Sequence, residues 1–288
     1  MDDAANVTGA VLADLRDEGD ALEGLVAGLD AAAWALPTPA PRWTLAHQIA
    51  HLAWTDEQSL LAVTDEPAFR EASQAALASP GTFVDEGAEA GAALPPGSLL
   101  ARWRAGRAEL GRVLGELPQG HRIPWYGPSM SAAGMATARL METWAHGEDV
   151  ADALGVPREP TARLRHVVRI GVRARDFAYA VRGLRPPSEP FRVELEGPGG
   201  ELWAHGPEDA AQRVTGDAVG FCRLVTQRVH RDDAGVRAEG PDAQRWLEIA
   251  QAFAGPPGDG RPRKETQRKE AQRNETQRKE TQRKEAQA

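Results

Sequence analysis

Cysteine occurs once, at Cys222, and lysine does not appear before Lys264 in a chain of 288 residues. A lone cysteine can form neither an internal disulfide nor a cysteine-based zinc cage, which excludes a stapled secreted scaffold and a zinc finger. No apolar stretch approaches the ~20 residues that cross a bilayer. The amino terminus carries Asp2, Asp3, Asp14 and Glu18 where a secretory leader has a basic start and an apolar run. A soluble, cytoplasmic protein with no membrane partner is therefore expected. Other signatures are missing too. The GPGG at 197–200 lacks a phosphate-loop lysine, no nucleophile elbow is found, and Gln48 stands where a zincin helix would place its glutamate.

What is present is an ordinary globular composition, 41% hydrophobic and 26% charged. The length exceeds the usual ~100–200 residues of one domain, so two domains, or one with appendages, are expected. The net charge of −8 hides a division: residues 261–288 hold ten basic residues and five glutamates, which leaves 24 basic and 37 acidic residues, net −13, in the body. That body uses arginine alone and is rich in alanine and glycine, as in a high-GC genome such as an actinobacterium's. The end of the chain reads as five pentapeptides, KETQR, KEAQR, NETQR, KETQR and KEAQA. Polar on every face, they have no stripe to bury, so a disordered or transiently helical tail is expected. A basic excess interleaved with glutamate and without aromatics is poor material for a nucleic-acid groove.

Helical periodicity dominates the first two-thirds. Val11, Leu15, Leu22, Leu25 and Leu29 mark a first helix; Thr44 caps a second that runs to about Val63. Residues 64–97 read as a long connection with at most a short helix. Leu99, Leu100, Trp103, Leu110, Val113 and Leu117 define a third helix, and a loop from Ile123 to Met130 leads to a fourth, from Ser131 to Leu154, stopped by Gly155. A fifth spans Ala162 to Val181. Helices joined in this way form an antiparallel bundle. After Pro186 and Pro187 the pattern changes. Phe191, Val193 and Leu195 alternate as a strand, and Leu202 and Trp203 begin its return. Helical stretches at 207–213 and 217–229, a strand at 235–239 and a helix at 241–253 complete the reading. The fold class is α+β: a helical bundle over 1–187, a small α+β domain over 188–258 and the charged tail over 259–288.

Two helices carry ligand-type side chains four residues apart, His47 with His51 and Glu142 with His146, so each pair shares a helix face. Imidazoles and a carboxylate converging on one ion from facing helices form a bundle metal site, and three ligands leave a position for water or substrate. Arg139 precedes Glu142 by three residues and is expected to point near the metal. Arg228, His230 and Arg231 cluster farther on, and arginine forks suit carboxylates. Asp56 and Asp149 are candidates to orient the imidazoles. Trp43, Trp54, Trp125 and Trp144 are expected in the core or as pocket walls, Cys222 as a packed thiol, and His121, His166 and His205 as surface or capped histidines.

Trp43-Thr44, His51-Leu52-Ala53, and then Arg139, Glu142, His146 and Asp149 resemble the metal-binding bundle of mycothiol-dependent maleylpyruvate isomerase and its relatives in the DinB-like superfamily. The resemblance covers about residues 5–255, and VTGDAVGFCRLVTQRVHRDDAGVRAEGPDAQRW is similar to a subgroup described as metal-binding. It implies a DinB-like four-helix bundle with zinc held by His51, Glu142 and His146, leaving His47 beside the site; Arg139 and Arg228 are candidate catalytic residues on their position and charge alone. It also implies mycothiol or another low-molecular-weight thiol as cosubstrate and a small anionic electrophile as substrate. In the isomerase the thiol adds to an activated cis double bond, the bond rotates, and elimination returns thiol and trans product; in related transferases the adduct is kept. A homodimer is compatible with this reading. A non-catalytic protein that binds metal or a small ligand is the alternative, and an interaction module working through the tail is a third.

Overall fold

Capping residues set the main helix boundaries. The computed structural model describes residues 2–78, 82–258 and 260–266. Its helices are α1 (Asp2–Val26), α2 (Ala31–Trp34), α3 (Leu45–Thr64), α4 (Glu66–Ala78), α5 (Phe83–Ala92), α6 (Pro96–Glu116), α7 (Ala132–Leu154), α8 (Leu164–Arg173), α9 (Arg175–Ala180), α10 (Ala218–Val225) and α11 (Pro241–Ile249). The strands are β1 (Phe191–Glu196), β2 (Leu202–His205), β3 (Gln212–Asp217) and β4 (Arg237–Glu239). Ser131 opens α7 by accepting the Gly134 N–H at 3.1 Å, and Gly155 ends it in the left-handed conformation at φ 66°. Pro96 starts α6 where a missing N–H costs nothing.

The chain divides into two compact units, Met1–Ile170 and Gly171–Ala288. In the first, α3 packs on α6 and α7, and α1 packs on α7 and α6. One core cluster joins Leu22, Val26, Leu45, Ile49, Leu52, Leu99 and Trp103; another joins Val11, Phe69, Leu110, Leu114, Ile123 and Met135. Each large apolar side chain buried in this way contributes about 1.5–3 kcal/mol. The segment after α7 is tied to α1 by charge: Arg158 and Arg163 both reach the buried carboxylate of Glu18, and His166 meets Asp14 at 2.7 Å. His166, expected as a surface or capped histidine, is buried and paired with Asp14.

The connection expected over 64–97 is instead largely helical, as α4 and α5. Alanine favours helix even without a long apolar period, and α5 finds its support laterally, with Gly87 against Trp54 and Gly91 against Ala50. The expected fifth helix breaks at Ala174 into α8 and α9.

The second unit holds a four-stranded sheet in the order β2-β1-β3-β4, with β1 and β3 parallel and the outer pairs antiparallel. The hairpin β1–β2 falls where expected. The helix expected at 207–213 is a turn leading into β3, whose Gln212 and Val214 are buried. Gln212 Oε1 there accepts the N–H groups of Asp242 and Ala243, both at 3.0 Å, and so caps α11. The division between units also precedes the boundary expected near 187, because Gly171 packs on Phe221 and Val225 while the Tyr179 hydroxyl donates to the Asp242 carbonyl. Cys222 is fully buried, as expected. No helix among the described residues is long and apolar enough to cross a membrane. The expected tail lies largely outside the described residues.

Candidate metal centre

α3 and α7 each expose the predicted face toward the other. His51 and His146, each 7% exposed, bring their rings to a centroid separation of 4.5 Å, and Glu142 lies between them. Glu142 Oε2 is 3.5 Å from His51 Nε2 and 3.2 Å from His146 Nε2; one ligand atom from each residue falls within 4.8 Å of the other two. Atoms sharing a tetrahedral zinc at about 2.0–2.1 Å stand about 3.3 Å apart, so the set is close to that spacing.

A short relay fixes the tautomer of His146. The Thr38 hydroxyl donates to the Trp43 carbonyl at 2.9 Å, so its oxygen accepts from Gln48 Nε2 at 2.8 Å. Gln48 Oε1 then accepts from His146 Nδ1 at 2.5 Å. With its proton on Nδ1, His146 turns the Nε2 lone pair toward the Glu142 carboxylate. Burial pushes the Glu142 carboxyl up, but hydrogen bonds and charge from His146 and His51 outweigh it and hold the group well below the usual carboxylate range. With His146 neutral and its proton on Nδ1, Nε2 and the carboxylate are both acceptors, so the pair calls either for a second proton on His146, which supplies the hydrogen bond and charge just named, or for a cation in its place. His51 Nδ1 is buried with no hydrogen-bond partner among the described residues. The donor set of two imidazoles and one carboxylate, with an open fourth position, fits a catalytic divalent ion.

The walls are aromatic. Trp43 lies 5.9 Å from the His146 ring at 19° and 5.3 Å from the His51 ring at 50°, with Trp54 on the other side of His51 at 6.2 Å. Asp85 of α5 accepts the Trp43 indole N–H at 3.0 Å and pairs with Arg42 at 2.5 Å, which fixes that wall. Trp125 stacks on Phe69 at 5.7 Å instead, within the second core cluster.

Several expected residues have other partners. His47 Nδ1 accepts the Thr44 N–H at 3.2 Å and so serves the start of α3, while Nε2 meets Glu89 of α5 at 2.8 Å. Arg139 does not open toward the triad. It is 2% exposed, donating from Nε to Asp56 Oδ1 at 2.8 Å and from Nη2 to the Leu52 carbonyl at 3.4 Å. Three residues along a helix turn a side chain about 60° away from Glu142, which sends the guanidinium into the core. Asp56 accordingly holds Arg139 and no imidazole. Asp149 is fully buried. Arg228 belongs to the second unit and donates to the Thr226 carbonyl at 2.6 Å; Arg231 donates to Val236 at 3.0 Å, and His230 Nδ1 accepts the Asp232 N–H at 3.1 Å. Gln48 was not foreseen. In the sequence it shows as a residue between His47 and His51, three before a candidate ligand.

Residues 15–151, which contain the whole triad, match the family described as the mycothiol maleylpyruvate isomerase N-terminal domain, and residues 187–234 match one described as wyosine base formation. An uncharacterized protein of Mycobacterium tuberculosis, recorded in two strains, is 60% identical over 253 residues, covering 88% of this chain and 98% of its own. Crystal structures of mycothiol-dependent maleylpyruvate isomerase, including one of a histidine-to-alanine mutant, share the fold at a TM-score of 0.54 and 19% identity, over 82% of this chain and 95% of theirs. The chain belongs to the mycothiol-dependent maleylpyruvate isomerase-like family.

Proposed function

We propose that the chain is a metal-dependent enzyme of the maleylpyruvate isomerase or mycothiol S-transferase type, with His51, Glu142 and His146 as ligands of one divalent ion, by donor chemistry zinc. The observation that carries this is the meeting of two imidazoles and an ionised carboxylate from two helices, with the His146 lone pair aimed inward by Gln48. In this reading α1, α3, α6 and α7 form the up-and-down DinB-type bundle whose core builds the site. A cation held there lowers the pKa of a coordinated thiol and so supplies a nucleophile near neutral pH.

The chain's own residues do the rest. Gln48 orients His146, and Trp43 and Trp54 keep bulk water from the two imidazoles. The cosubstrate is a low-molecular-weight thiol such as mycothiol, and the substrate a small anionic electrophile. Its activated double bond takes the sulfur, becomes single, turns, and re-forms as the sulfur leaves; a transferase keeps the adduct. Arg139 acts through Asp56 to hold α3 and α7 in register.

Elemental analysis of the native protein and of His51→Ala tests the site, and turnover of maleylpyruvate with mycothiol by wild type and Glu142→Gln tests the chemistry. About one zinc per chain, lost in His51→Ala, and turnover lost in Glu142→Gln are expected. Protein with no stoichiometric metal, and a melting temperature indifferent to zinc and chelator, overturns the reading.

A further inference from the structure

A cavity in the helical unit is lined by none of the three triad residues. It opens between α1 and α6, encloses about 530 Å³ and reaches inward to Asp56 of α3 and Thr143 of α7. That volume falls within the roughly 300–1,000 Å³ of small-molecule pockets. Its origin is legible in the helices. Ala13 on α1 and Ala108 and Gly111 on α6 line it, and a Cβ added at Gly111 meets nothing within 4 Å. Glycine weakens a helix interior, so the gap is kept at a cost to α6. Leu12 and Leu15 stay only half-buried on its wall, opposite Leu110 and Trp103.

The polar groups define what fits. At the floor, Arg139 takes only Oδ1 of Asp56, and no other described residue bonds Oδ2. Asp56 is 4% exposed, so any donor that reaches it is itself desolvated. A cation is disfavoured because Arg139 already neutralises the carboxylate and Arg107 stands nearby, over the Trp103 ring at 4.9 Å. An anion gains little, because the arginines of the lining are already taken: Arg16 pairs with Asp17, Arg104 with Glu23, and Arg107 with Asp20 and Glu23. What remains is an uncharged body with a hydrogen-bond donor at its inner end and an apolar flank for Leu12, Ala13, Leu15 and Ala108.

We propose that this cavity is a second small-molecule site, taking an uncharged, largely apolar compound whose hydroxyl or N–H donates to Asp56. It goes beyond the metal-dependent chemistry and does not depend on it. Through Asp56 the occupant touches the Asp56–Arg139 pair, which joins the two helices that carry His51 and Glu142.

Calorimetric titration with 2-naphthol, against 2-methoxynaphthalene as the probe without a donor, tests the assignment. One 2-naphthol per chain is expected, bound at least tenfold more tightly than the methyl ether. Gly111→Leu grows into the open space from a helix position it favours. This variant is expected to melt no lower than wild type, keep its metal and lose 2-naphthol affinity at least tenfold. Binding is expected to persist in His51→Ala, which separates this cavity from the metal centre. Equal affinity for the two probes, unchanged binding in Gly111→Leu, or loss of binding only in His51→Ala overturns the proposal.

Discussion

Arg139→Met separates a core role for this arginine from a substrate contact. Arg139 and Asp56 are 2% and 4% exposed and share a 2.8 Å hydrogen bond, with a longer one to the Leu52 carbonyl. Removing one member of a buried pair leaves its partner's charge uncompensated, at a cost of about 3–5 kcal/mol. Burial already raises the Asp56 carboxyl, against the opposing charge of Arg139. With Arg139 gone that opposition goes too, so the carboxyl can escape by binding a proton, and the loss at pH 7 is expected at the lower end, about 3 kcal/mol. The sign with pH follows. A carboxyl whose folded pKa is raised binds more protons in the folded than in the unfolded state, so stability falls as pH climbs from the ordinary carboxylate value through the raised one. The penalty in Arg139→Met therefore shrinks toward acid. Urea unfolding at pH 7 and pH 5, followed by tryptophan emission, reads both effects. Pairing the change with Asp56→Leu is expected to restore most of the stability, since an apolar replacement for both members leaves nothing stranded. A variant that unfolds like wild type yet shows a raised KM for an anionic substrate refutes the reasoning and returns Arg139 to the substrate.

Three further outcomes are expected. Gln48→Leu removes the acceptor on His146 Nδ1 and is expected to weaken metal affinity about 10–100-fold in a competitive chelator titration, whereas Gln48→Glu keeps an acceptor and the affinity. Gly220→Ala, ordinarily a helix-favouring change, places a Cβ 1.9 Å from the Ala234 carbonyl oxygen and is expected to destabilise the second unit by about 1–3 kcal/mol in thermal unfolding. Burial pushes the Asp14 carboxyl up, but hydrogen bonds from His166 and Arg165 hold it below the usual range, so its stabilisation exists above that range and is lost as pH falls through the lowered value. Asp14→Asn is thus expected to cost about 1 kcal/mol at pH 7 and nothing once wild-type Asp14 is protonated, as chemical unfolding across pH shows.

Legibility in the sequence followed how locally each feature is determined. α3 and α7 announce themselves through Thr44, Ser131 and Gly155, because caps and apolar period both act within a turn or two. The triad was visible because ligand spacing of four residues is also a local property, and resemblance joined the two halves. α5 was not legible, since its support is the close approach of Gly87 to Trp54, a contact between distant segments. The helix expected over 207–213 fails because Glu208 to Gln212 suits a helix only in isolation; its last two residues, Gln212 and Arg213, enter β3, where pairing with β1 on one side and β4 on the other outweighs that preference. Gln48 gains its meaning only through Thr38 and His146, and Arg139 its meaning only through Asp56.

Trp43 has a practical consequence. Its indole lies against both imidazoles of the triad, at 5.3 and 5.9 Å, and Asp85 holds it there. Any event that recharges either ring alters the electric field across this fluorophore, so the protein carries its own optical gauge of what happens at the centre. Emission recorded against a Trp43→Phe blank turns occupancy into a label-free signal, readable in stopped flow before any product accumulates.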